Sequence, residues 1–124
     1  MLYVENLTKK FGRKTLAVDQ LNFVLDKGEL CVLLGPNGAG KTTTFYMIVG
    51  MIRANKGSIF LDNNNISKKP MYKRARMGIG YLPQEASIFR KLTVGENIMA
   101  ILENHKMSGK DRKIRMHELL SELH

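Results

Sequence analysis

The chain has 124 residues, 44% hydrophobic and 25% charged, with 20 Lys+Arg against 11 Asp+Glu. That size allows one small domain or part of a larger one, able to bury roughly two-thirds of its unfolded surface. One cysteine excludes an internal disulfide, no run approaches the ~18 apolar residues of a membrane span, and the N-terminal Met-Leu-Tyr-Val-Glu-Asn lacks the pattern of a secretion signal, so a reducing, cytoplasmic setting is expected.

In chain order, residues 2–7 and 21–25 read as two strands, and Asp26-Lys27-Gly28-Glu29 as a turn. Leu30-Cys31-Val32-Leu33-Leu34 is apolar throughout, which predicts a strand buried on both faces of a parallel sheet, with Cys31 as a buried structural thiol. Glycine-rich residues 35–42 follow. Thr42 to Ile52 then places Phe45, Ile48, Val49 and Ile52 at helical spacing, with an end expected near Ala54-Asn55 and Gly57 as terminator.

Residues 57–61 read as a short strand and Asp62-Asn63-Asn64-Asn65 as a turn. Asp62 ends an apolar run, as a metal-binding carboxylate would, but the turn residues after it favour a hairpin. A basic helix is expected over 70–76 and a second core strand over Met77–Leu82, ended by Pro83. Thr93-Val94-Gly95-Glu96 fits a capping box before a helix over Asn97–Lys106. Ser108-Gly109-Lys110-Asp111 repeats the signal more weakly, before a helix with Ile114, His117, Leu120 and Leu123 on one face.

The chemistry concentrates in Gly35-Pro36-Asn37-Gly38-Ala39-Gly40-Lys41-Thr42, a complete G-x-x-x-x-G-K-[ST] phosphate-binding loop. Its glycines let the backbone turn where side chains would clash, so that amide N–H groups can cradle phosphate oxygens. Lys41 adds a positive charge for the β- and γ-phosphates. The Thr42 hydroxyl suits Mg²⁺, a hard cation that takes oxygen ligands. Apolar strand, glycine loop and helix are the setting this motif requires, and the helix N-terminus attracts anions in its own right.

Taken together, these residues resemble the ATP-binding subunit of ABC transporters over essentially the whole chain. Phe11-Gly12 stands where that family has its adenine-stacking aromatic. Residues 35 to 43, ending in Thr43, resemble its version of the phosphate loop, and Tyr81-Leu82-Pro83-Gln84-Glu85 resembles its Q-loop. Residues 44–50 and 74–90 resemble most the lipopolysaccharide-export branch, with branched-chain amino-acid importers as the competitor. The resemblance implies an α/β P-loop NTPase fold: a parallel core sheet, an N-terminal antiparallel β subdomain and a helical subdomain, with residues 1–92 in the nucleotide-binding core and 93–124 opening the helical part.

It also implies ATP and Mg²⁺ as cofactors. Phe11 would stack on adenine, Val18 would touch the ribose, Asn37 to Thr42 would hold the phosphates, and Thr42 with Gln84 would reach Mg²⁺. Lys41 and Gln84 would be the catalytic groups, Gln84 also sensing the attacking water. Phe11 as a core aromatic and Gln84 as a loop-capping amide are the alternatives. The implied partners are a second such subunit and membrane-spanning subunits docking near Ile88, Phe89 and Arg90, with the protein peripheral on the cytoplasmic face of the inner membrane; burial of Phe89 is the competing reading.

The family's Leu-Ser-Gly-Gly signature, its strand ending in Asp-Glu and its switch histidine have no counterpart in the 124 residues, so the chain reads as an N-terminal portion. His105, His117 and His124 read as solvated or packed. A transporter ATPase, a nucleotide-binding module without turnover and another P-loop class are the functions in contention. The third lacks support, since the guanine-reading Asn-Lys-x-Asp is absent and Gln84 and Phe11 fit the first. The net charge of +9 is spread over modest clusters at Lys68-Lys69, Lys73-Arg74-Arg76 and Lys110-Arg112-Lys113-Arg115, read as mostly solvated faces. No stacking aromatics accompany them, so nucleic acid is not an expected partner.

Overall fold

Two long antiparallel strands begin the chain, β1 (Leu2–Phe11) and β2 (Thr15–Leu25), joined by a turn at Gly12. The structure, a computed structural model, describes residues 1–85 and 87–122. The described residues pack as two units, one of Met1–Ile79 and one beginning at Gly80.

In the first unit a four-stranded antiparallel sheet has the order β2-β1-β3-β4. The strands alternate sides with period two, yet Val4 and Leu7 are both fully buried although three residues apart. The register of β1 slips between them, and Asn6 takes a left-handed φ of 48°. This bulge adds one residue and resets the phase, so both side chains enter the core. Gln20, at φ 44°, sits between Val18 and Leu21 on β2, and both of these also face the core. Side chains repair the interrupted ladder: the Asn6 amide donates to Asn22 Oδ1 at 2.8 Å, and the Gln20 amide to Thr8 Oγ1 at 3.0 Å.

After the glycine loop comes α1 (Lys41–Val49). It is shorter than expected, ending at Gly50 with φ 89° rather than near Ala54-Asn55. The N–H groups of Gly50, Met51 and Ile52 all turn back to the Tyr46 carbonyl, which closes the helix. Its inward face is Thr44, Met47 and Val49, whereas Phe45, expected on that face, is half-exposed. Met47 joins Val4, Leu7, Val18, Ile59 and Ile66 in the core.

β3 (Lys56–Leu61) and β4 (Asn64–Asn65) form a hairpin beside β1. Leu61 pairs with Asn64, leaving Asp62 and Asn63 as a two-residue loop with φ 45° and 65°. Two left-handed residues are the requirement of a type I′ turn, which Asp and Asn meet at low strain. Asp62 is therefore a turn residue, and its carboxylate accepts from the N-terminal ammonium at 2.6 Å. That hydrogen bond, followed by the ammonium's charge, holds it below the usual carboxylate range.

The basic helix forms as α2 (Met71–Arg76), but Arg74 does not join a solvated face: it is 2% exposed. Its guanidinium donates to the carbonyls of Met47 and Ile48 (both 2.7 Å), Lys69 (2.8 Å) and Ser67 (3.0 Å). The last carbonyls of a helix lack intrahelical partners. Tyr46 is satisfied by the Gly50 turn, and Met47 and Ile48 by Arg74.

The two expected core strands are not formed. Residues 30–34 and 77–82 are irregular and join no ladder among the described residues. A parallel strand needs a neighbour to take its N–H and C=O groups, and β1 to β4 all pair with one another in antiparallel fashion. Leu30, Val32, Leu34 and Leu82 are largely exposed, at 92%, 67%, 86% and 94%. Cys31 is exposed with them, not buried. Met77 and Ile79 do pack against the core, from irregular backbone.

In the second unit, α3 (Val94–Leu102) opens with the expected capping box. Thr93 Oγ1 accepts from the Glu96 amide at 3.2 Å, and Glu96 Oε2 accepts from the Thr93 amide at 2.7 Å. The helix starts at Val94, and its α-helical stretch stops at Leu102, short of Lys106. α4 (Gly109–Glu122) begins where Ser108 Oγ accepts from the Asp111 amide at 3.1 Å. Its less exposed face is Arg112, Arg115, Met116, Leu119 and Leu120, with Met116 lying against Gly95 of α3. Of the residues expected to share one face, Ile114 and His117 are exposed and Leu120 is part-buried. Leu123 and His124 lie outside the described residues.

Candidate functional site

The loop 35–43 is built by its backbone. Gly38 and Gly40 take φ of 84° and 87°, conformations that L side chains rarely adopt. Gly40 has a second reason to be glycine. A Cβ there would run into the Ala17 carbonyl oxygen and come within 3.1 Å of Val18 Cγ2. The loop is thus pressed on β2, and buried Val18 braces it from the core side. The Ala39 amide donates to the Pro36 carbonyl at 3.1 Å, closing a tight turn.

At the start of α1, Gly40 is the N-cap with no side-chain acceptor, and the first turn holds no acidic residue. The helix's positive end therefore has no carboxylate of its own to offset it. The Lys41 ammonium lies over the mouth of the loop, donating to the carbonyls of Gly35 and of Pro36, the latter at 2.8 Å. Thr42 is exposed in the first turn, while Thr44, one turn on, is buried and donates its hydroxyl to the Gly40 carbonyl at 2.9 Å. Glycine-held turn, uncapped helix start and ammonium fit a triphosphate. The exposed Thr42 hydroxyl is a hard oxygen donor of the kind Mg²⁺ takes.

Phe11 ends β1, paired with Thr15, two residues before Ala17. It is not a core aromatic: it is 47% exposed, with the Lys9 ammonium 5.2 Å from its ring centre. The first unit thus brings Val18, Gly40 and Lys41 together. Gln84 belongs to the second unit, at an exposed bend.

Ile88 and Phe89 are also in the second unit and are 62% and 63% exposed, so Phe89 is not buried. They adjoin a turn held by Asn97. The Asn97 side chain accepts from the Phe89 amide at 2.8 Å and donates to the carbonyls of Phe89, Thr93 and Leu92 at 3.1, 3.0 and 3.3 Å. The sequence pointed to Asn97 only as part of a helix entry. An Asn four residues after an N-cap Thr gives no local sign of that reach.

A phosphate loop on a helix start, beside an antiparallel β subdomain, defines an ATP-binding cassette. The chain belongs to the ABC transporter family, whose model matches residues 18–124. It is 48% identical over its full length to the lipopolysaccharide export system ATP-binding protein LptB of Acidithiobacillus ferridurans, covering 51% of that protein. To the LptB of Haemophilus influenzae it is 50% identical over 98% of the chain and, again, 51% of the relative. The chain spans about half the length of these curated relatives. Among solved structures, a dimeric ATP-binding cassette in a post-hydrolysis state with ADP and Pi superposes with a TM-score of 0.80 at 27% identity, over 98% of this chain and 56% of the other. A nucleotide-free cassette gives 0.74 at 29% identity, over 92% and 45%. No helix among the described residues is long and apolar enough to cross a membrane.

Proposed function

We propose that this chain grips Mg·ATP for an ABC-type ATPase that, in its complete and dimeric form, powers lipopolysaccharide export. The observation that carries the reading is the phosphate loop: Gly40 pressed on β2 and Lys41 poised over the mouth, in a chain about half identical to LptB proteins. Phosphoryl transfer asks a protein chiefly for positioning and charge neutralisation. Backbone amides from Asn37 to Thr42 hold the α- and β-phosphates, and Lys41 exchanges its carbonyl partners for phosphate oxygens and offsets charge at the γ-phosphate. Thr42 supplies one oxygen to Mg²⁺. Gln84 supplies another and senses the attacking water. Phe11 stacks on adenine, and Val18 borders the ribose while backing the loop.

The exposed pair Ile88-Phe89, next to Arg90, docks membrane-spanning subunits; an exposed aromatic beside basic residues is the kind of anchor an interface uses. A second copy completes the site. The protein works on the cytoplasmic face of the inner membrane. Residues 1–92 belong to the nucleotide-binding core and 93–124 to the start of the helical subdomain.

Calorimetry with Mg·ATP tests this. The 124-residue chain is expected to bind weakly and to hydrolyse nothing above background, whereas the chain extended to the length of its relatives binds and turns over. Lys41→Ala should cut affinity by about tenfold or more, the size of a lost charge-assisted contact. Unchanged affinity in Lys41→Ala, or robust turnover by the 124 residues alone, would overturn the assignment.

A further inference from the structure

A second concavity of the first unit lies apart from the phosphate loop. It is a groove of about 550 Å³, lined by Gly57 and Ser58 of β3, Asn65 of β4, Ser67, Lys68, Lys69, Pro70 and Lys73. Three of its lining residues are lysines and none is acidic. Among the described residues no carboxylate lies within ion-pairing distance of Lys68, Lys69 or Lys73; the ion pairs found involve only the N-terminus with Asp62, and Arg115 with Glu118 and Glu122. An unpaired cluster of this kind repels itself and gains from a bound polyanion.

The floor reinforces the field. The carbonyls of Ser67 and Lys69 are engaged by the buried Arg74 guanidinium, which stands behind them as a fourth positive charge. Those two carbonyls are thus already hydrogen-bonded to a cation. Ser58 and Asn65 also line the groove, the Asn65 side-chain oxygen accepting from the Ser67 amide at 3.0 Å.

We infer that the groove of Lys68, Lys69 and Lys73 is an anion site for a ligand bearing two or more phosphate charges, separate from the nucleotide loop. Three lysines on one groove of about 550 Å³ favour a diphosphate or clustered phosphomonoesters over a single phosphate. Lysines act here as point charges, without the forked geometry that selects one planar partner, so the phosphate group is recognised rather than what it is attached to. A soluble polyphosphate and a phosphomonoester lipid headgroup share that chemistry.

Two arms on the whole chain test the inference, with saturating Mg·ATP present so that the nucleotide loop is not the reporter. In the first, pyrophosphate is titrated while backbone amide resonances are followed. In the second, co-sedimentation is measured with phosphatidic acid vesicles and with phosphatidylcholine vesicles. Lys68→Gln/Lys69→Gln/Lys73→Gln is expected to weaken binding about tenfold, as three exposed charge contacts would. An equal-charge control, Lys10→Gln/Lys14→Gln/Lys27→Gln, should change it less than twofold. The single reversal Lys68→Glu should act in the same direction as the triple change.

Pyrophosphate shifts centred on Ser58 and residues 65–73 support a soluble ligand. Lysine-dependent sedimentation with phosphatidic acid and no pyrophosphate effect supports a lipid headgroup. Equal losses in both triple variants, shifts confined to 37–42, or no binding in either arm would overturn the site.

Discussion

Among the described residues no acidic group neutralises the charge of Arg74, whose partners are main-chain oxygens. Burial draws its pKa below the ordinary arginine value, yet a guanidinium stays protonated throughout the physiological range. Arg74→Met would strand four carbonyls, two of them at the end of α1, at a cost of about 3–5 kcal/mol from a total of about 5–15. Arg74→Lys should restore only part of this, because an ammonium cannot reach both sides of the fork. Urea unfolding followed by circular dichroism checks both; loss below about 1 kcal/mol in the methionine variant would contradict the clamp. The sequence disclosed Lys41 and Gly40 because the loop's demands are local. It hid Arg74 among Lys73 and Arg76, since the acceptors on α1 are 26 and 27 residues away. Val18, named as a ribose contact, is legible as a loop brace only once Gly40 is seen against it.

Helix starts were readable and helix ends less so. The capping box of α3 needs four consecutive residues, all visible in the sequence, and formed as expected. The Thr93 amide, then its hydroxyl, holds the Glu96 carboxylate below its ordinary 4.5. A depressed carboxylate contributes stability that is present above pH 4.5 and is lost as pH falls through the lower, folded value. The helical signal should therefore weaken on acidification below pH 4.5 more steeply in the parent chain than in Glu96→Gln, which keeps the box without the titrating proton. Equal pH profiles would contradict that role.

The end of α1 was misplaced because the apolar run continues past Gly50, whose left-handed φ of 89° stops it. Gly50→Ala should cost about 1–2 kcal/mol in thermal unfolding, from the strained φ and a Cβ only 3.0 Å from Arg74 Nε. The bulges at Asn6 and Gln20 were illegible, since alternation within a strand says nothing of where the phase resets.

For the whole molecule, the sequence led to the correct family and the antiparallel subdomain, while the strands expected at 30–34 and 77–82 did not form. Apolarity signals that a segment is buried in the native assembly; it does not supply the neighbouring strands that bury it. Leu30, Val32 and Leu34 are consequently exposed in the segment leading into the phosphate loop. Light scattering should show concentration-dependent association of the 124-residue chain, reduced by Val32→Lys, because exposed apolar stretches with unpaired backbone recruit other chains. A strictly monomeric chain at high concentration would contradict this.

The arginine clamp also sets an asymmetry in how the molecule can change. Since its partners are peptide oxygens, positions 47, 48, 67 and 69 can exchange one side chain for another without breaking it, whereas position 74 admits a single residue type. In a library randomised at all five sites and sorted for folding, four columns should diversify within their volume limits and the fifth should hold one letter.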